Sequence, residues 1–134
     1  MSTATDIIDL LDDDPSLLTD AARRTLTITN RGDAYTEEEL DQLVHAFGGA
    51  LRERLAGTGT EVLDFMLQTA IPAIVARGER VSELARSSAV FGVLLSVAIT
   101  ERLEPDARGA AVTELASFFG EWERDIVEAA QGAA

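Results

Sequence analysis

The stretch Ser82–Leu103 reads SELARSSAVFGVLLSVAITERL, and from Ala89 to Ile99 every residue is apolar, Gly or Ser. A helix that is apolar on all sides is buried in a core or in a membrane. A bilayer needs about 20 consecutive apolar residues, more than this run supplies. The stretch is therefore expected to be the central core helix of a soluble, all-α domain. Ser87, Ser88, Ala89, Gly92, Ser96 and Ala98 would let neighbouring helices approach closely. Leu84, Phe91, Leu94, Leu95 and Ile99 would fill the other side.

Composition is consistent with that reading. A chain of 134 residues is expected to form one domain around one core. With no cysteine, disulfides, thiolate metal sites and cysteine nucleophiles are excluded. The N-terminus MSTATDIIDLLDDD is acidic, unlike a signal peptide, so the expected location is cytoplasmic. Net charge is −13, and all eleven basic residues are Arg. Such a surface repels nucleic-acid backbones and anionic membranes, so neither is an expected partner.

Working outward, helical spacing recurs along the whole chain. Thr3 to Asp13 predicts a short amphipathic helix with Ile7, Leu10 and Leu11 on one face. So short a helix must dock on something to be stable. Asp14-Pro15 predicts a second helix start, running to about Arg31 with Gly32 as its stop. Thr36 and Glu39 form a capping box for a third helix that reaches Ala56 through Leu40, Leu43, Val44, Phe47, Leu51 and Leu55. Gly48-Gly49 inside it implies a close contact or a kink. A fourth helix, Glu61 to about Arg77, should be kinked by Pro72. The last helix is expected from Pro105 to about Ala130, through Ala111, Leu115, Phe118, Phe119, Trp122, Ile126 and Ala129.

No constellation of catalytic groups is legible, so no enzymatic activity is expected. His45 is the one histidine, which rules out a His pair; in a globin-like fold it could serve as an axial haem ligand. The runs Asp12-Asp13-Asp14 and Glu37-Glu38-Glu39 lack calcium-loop spacing and read as solvated helix ends. Neither a metal nor a cofactor is expected. The aromatic cluster Phe118-Phe119-x-x-Trp122 is different. Adjacent residues on a helix diverge by about 100°, so Phe118 and Phe119 cannot share one narrow stripe. Ile7 and Leu11 of the first helix, with Phe118, Phe119, Trp122 and Ile126 of the last, are therefore the expected homodimer or partner interface. The alternative is a ligand-binding sensor, with haem on His45 or an apolar molecule between the helix at Pro72 and the central helix.

The order of features also resembles a known family. DAARRTL (20–26) is followed by EEELDQLVHAFGGALRERL (37–55), then by EVLDFMLQTAIPAIVARGERVSELARSSAVFGVLLSVAITERL (61–103) and ELASFFGEWERDIVEAA (114–130). This pattern resembles the N-terminal sensory domain of RsbR-type stressosome proteins over roughly Ile7 to Ala130. The segment IVARGERVSELARSSAVFGVLL (74–95) carries most of the likeness. The resemblance implies a globin-like bundle of about six helices without haem, dimeric through terminal helices, acting as a signal-input or protein-interaction module. Those proteins join this domain to a C-terminal STAS domain, to which no segment of this chain corresponds.

Overall fold

The computed structural model describes residues 2–134. Six helices account for the architecture, and no strand occurs among the described residues. They are α1 (Thr3–Asp13), α2 (Ser16–Ile28), α3 (Glu37–Ala56), α4 (61–76), α5 (Val81–Arg102) and α6 (Arg108–Ala133). A short 3₁₀ turn, Pro105–Ala107, leads into α6.

Caps account for most of the boundaries. Ser2 caps α1 by accepting the Thr5 N–H at 3.2 Å. At α3 the capping box forms in both directions: Thr36 Oγ1 accepts from Glu39 N at 3.1 Å, and the Glu39 carboxylate accepts from Thr36 N at 2.9 Å. Gly57, with φ of 68°, ends α3, and the Thr58 N–H bonds back to the Glu53 carbonyl. Glu53 then reaches forward, its carboxylate accepting the Val62 N–H at 2.7 Å in the first turn of α4.

The end of α2 departs from expectation. The left-handed residue is Asn30, with φ of 57°, and not Gly32. Asn30 N–H bonds to the Thr27 carbonyl and Arg31 N–H to the Leu26 carbonyl, the paired closure of a helix C-terminus. Asn tolerates this conformation better than other side-chain-bearing residues do. The helix accordingly stops at Ile28, three residues early. Thr25 within it and Thr29 at its C-cap are buried and donate their hydroxyls to the Ala21 and Thr25 carbonyls, both at 2.8 Å. Those bonds let a threonine-rich segment remain helical inside a core.

Pro72 acts on α4 through a π turn. Regular α segments Glu61–Phe65 and Ile71–Ala76 flank a π-helical turn, Met66–Ala70, closed by the Ile71 N–H on the Met66 carbonyl. Proline has no N–H, and its ring crowds the carbonyl four residues back. The wider turn ahead of it absorbs both defects.

The core is organised on α3 and α6. The Phe47 ring centroid lies 4.8 Å from Phe91, 5.7 Å from Phe118, 5.8 Å from Phe119 and 5.0 Å from Trp122. Phe118 and Phe119 both face inward because α6 has neighbours on several sides and buries a wide arc. Space for Phe119 comes from Gly92 of α5: a Cβ there would stand 3.0 Å from the Phe119 ring. Gly48 has the same role at α2, where a Cβ would meet Leu18 Cδ1 at 2.9 Å. The glycine pair thus marks a close helix contact.

Two expectations are overturned here. Ile7, Leu11, Phe118, Phe119, Trp122 and Ile126 are buried in the core of the single chain, so they do not form an exposed interface, and only an edge of Phe119 reaches a surface groove. Docking of α1 on α3 and α6 covers Ile7 and Leu11 completely. In turn, α5 is not buried all round. Leu84, Gly92, Leu95 and Ile99 face inward, while Val93 is 65% exposed and Val97 50%. It packs between α2 and α6, and nothing among the described residues covers Val93 and Val97 on its outer side. Alone among the described helices, α5 is long and apolar enough to cross a membrane.

Candidate functional site

Two features stand out once the core is closed: an apolar face on the outside of α5 and α6, and an apolar pocket that opens to solvent between the helices.

The outer face follows from helical spacing. Ala89, Val93 and Val97 recur every four residues on α5 and are exposed. On α6, Val112, Ala116 and Gly120 repeat the same spacing, with Val112 52% exposed. The two helices pack side by side, so these rows flank one shallow groove. Gly92 and the edge of Phe119 form part of its floor, and Glu101 and Glu123 stand among its lining residues. Each exposed valine leaves about 1.5 kcal/mol of burial energy unused. An acidic chain of net charge −13 thus carries one face whose centre has no charge. These exposed valines, gathered in one groove, make the face a candidate interaction surface. The other exposed large apolar residues, Ile28 and Phe65, stand on α2 and α4.

The cavity lies where α2, α3, α4, α5 and α6 meet and holds about 130 Å³. Met66, Ile71 and Ile74, around the π turn, form one wall, and Leu84, Ser87, Ser88 and Phe91 of α5 form another. The proline-modified helix and α5 thus border one cavity. Trp122 and Ile126, expected at a partner interface, line it from α6.

A polar group sits beside one end of the cavity. Arg31 pairs with Glu79, approaches Glu83 at 4.0 Å, and donates to Ser87 Oγ at 3.3 Å. Burial pushes the Tyr35 phenol up from its ordinary value, and the Glu79 carboxylate adds to the shift. The guanidinium of Arg77 lies 6.0 Å from the Tyr35 ring centroid. This cluster was not legible in the sequence, because its members come from the α2–α3 and α4–α5 connections and from α5.

Four further ion pairs tie separate parts of the chain together. Arg52 bonds Asp12 at 3.0 Å, Arg54 pairs with Glu121, Arg77 with Glu39, and Arg102 with Asp14. The acidic runs are thereby committed in part to caps and ion pairs. Among the described residues no group of three or more His, Asp or Glu side chains is placed to hold a metal ion. His45 is exposed on α3 and does not line the cavity, so the geometry does not support an axial haem ligand there. No family model matches this chain, and neither a curated protein nor a solved structure matches it.

Proposed function

We propose that this chain is a non-enzymatic regulatory module, globin-like and haem-free. Its place would be a cytoplasmic stress-signalling system of the stressosome kind that its helix pattern resembles. It works by pairing with a second copy through the outer face of α5 and α6. The observation that carries the reading is the groove between these helices, whose centre is apolar at Val93, Val97, Val112 and Ala116 and whose lining includes Glu101 and Glu123. Two copies of a strongly acidic chain repel each other everywhere else. Small residues at four-residue spacing allow helices to approach closely, and a two-fold axis would set α5 and α6 of one copy against the same pair in the other. The last helix supplies the mechanism. Its inner side bears Trp122 and Ile126 on the cavity, and its outer side bears Val112 and Ala116 on the groove. A shift in core packing therefore moves the pairing surface.

Sedimentation equilibrium of the full chain tests the proposal. Wild type is expected to sediment as a dimer and to associate more tightly as added salt screens the charge repulsion. Val97→Asp is expected to sediment as a monomer with unchanged helical content. Ile28→Asp, an equally exposed position away from the groove, is expected to remain dimeric. A wild-type monomer at high micromolar concentration, or dimers that survive Val97→Asp, would reject the reading.

A further inference from the structure

The pocket among the helices opens to solvent on one side. Most of its lining is buried, but Tyr35, Leu40, Leu43, Ser87, Ser88 and Phe91 are only half-buried. The mouth therefore lies between the first turns of α3 and the N-terminal half of α5. Tyr35 stands there, on the connection from α2 to α3. The same residue lines a surface groove of about 210 Å³ between α3 and α4, and Leu43 and Ile74 also line both spaces. Leu43 and Ile74 are fixed on helices. Tyr35 is not.

The connection that carries Tyr35 is fastened in an unusual way. Its own backbone bonds are local: the Asn30 and Arg31 amides close α2, and the Ala34 N–H bonds the Arg31 carbonyl at 3.0 Å. Among the described residues, no backbone–backbone bond ties 30–36 to α4 or α5. Two arginine side chains reach across instead. Arg31 pairs with Glu79, approaches Glu83 at 4.0 Å and donates to Ser87 Oγ at 3.3 Å. From α4, Arg77 donates to the Ala34 carbonyl at 3.5 Å and lies 6.0 Å from the Tyr35 ring centroid. Arg77 is half exposed, so its tie is weak. The Arg31 and Glu79 side chains are only 14% and 12% exposed. Removing one member of so buried a pair leaves the other charge without compensation unless it moves into water.

We propose that residues 30–36 gate the pocket: Tyr35 is the side chain that closes the mouth, and the Arg31–Glu79 pair is the clasp that holds it there. Release of the clasp swings Tyr35 outward, joins the pocket to the surface groove, and admits small uncharged solutes to the buried lining. The left-handed Asn30 at one end and the Thr36 cap at the other bound the moving segment. The gate acts within one chain and does not depend on pairing of two copies.

The single tryptophan lines the pocket and is 6% exposed, so quenching of its fluorescence by acrylamide, a neutral solute, reads the gate. Wild type is expected to be quenched weakly. Arg31→Met, which keeps an unbranched stem and removes the charge, should raise quenching severalfold with helical content unchanged. Glu79→Gln should shift it in the same direction. Arg52→Met, which breaks the Arg52–Asp12 pair elsewhere on the surface, should leave it unchanged. Exchange of the Ala34 amide should accelerate by at least about ten-fold in Arg31→Met, while the core amides of Leu51 and Leu115 keep their wild-type protection. Tyr35→Ala removes the closing side chain itself. It should raise quenching on its own, and adding Arg31→Met should raise it no further. Quenching at the wild-type level in Arg31→Met would overturn the inference. So would acceleration of the core amides in step with Ala34, or simple addition of the Arg31→Met and Tyr35→Ala effects.

Discussion

Gly48 and Gly49 are neighbours on α3 and meet opposite surroundings. A Cβ at Gly48 would press on the buried Leu18 side chain at 2.9 Å and on Arg52 at 3.0 Å, whereas one at Gly49 would touch Val62 at an ordinary 3.4 Å. Replacing a mid-helix glycine by alanine is worth about 1 kcal/mol in propensity, and overpacking costs about 1–3 kcal/mol. Gly49→Ala should therefore stabilise the chain by up to about 1 kcal/mol. Gly48→Ala should destabilise it by about 1 kcal/mol net, both read from urea unfolding midpoints. From the sequence the pair was visible as a close contact or a kink, but its two members could not be told apart. That distinction depends on which side of α3 each faces and on what stands opposite. Asn30 illustrates the same limit. Both Asn and Gly can end a helix, and the sequence reading took Gly32, the residue that adopts the left-handed conformation most readily. The pairing of the Asn30 and Arg31 amides with carbonyls of α2 decides between them.

At the scale of the element, what was legible had a local cause. The capping box of α3 needs only Thr36 and Glu39, three residues apart, and both of its bonds form. Thr36→Ala should cost about 1 kcal/mol in stability. Glu39 carries a pH dependence of its own. The Thr36 backbone N–H, followed by the Arg77 guanidinium, holds its carboxyl below the usual carboxylate range. A depressed folded-state value means that its contribution is complete above the unfolded-state value and is lost as pH falls through the folded one. The stability gap between wild type and Glu39→Gln should thus be largest near neutral pH and close as pH drops below about 4. A gap independent of pH would show that the carboxylate charge is not what matters. The extent of α5 was nearly as legible, since it was expected over Ser82–Leu103 and runs over Val81–Arg102. What covers it was not. Periodicity shows that a helix is apolar all round but cannot show that its outer third lacks a neighbour in its own chain.

For the molecule as a whole, the sequence supported the all-α class and located the aromatic concentration of α6 but misjudged its direction. Phe118, Phe119 and Trp122 were too many for one stripe, and the surplus was assigned to a partner. Phe47 from α3 and the space at Gly92 of α5 bring them all into the core, an arrangement that only the three-dimensional meeting of three helices reveals. The apolar residues left for a partner are instead small and scattered in sequence: Val93, Val97, Val112 and Ala116. In the pairing proposed above, a second copy sits on this groove. A chain without cysteine allows that to be measured cleanly. Nitroxide labels on Thr113→Cys, at the edge of the groove, and separately on Asp41→Cys, on the exposed side of α3, would give the distance between copies by pulsed dipolar spectroscopy. Pairing through α5 and α6 predicts a narrow distribution at Thr113, centred at a clearly shorter distance than at Asp41. No dipolar signal at Thr113, or a shorter distance at Asp41, would contradict it.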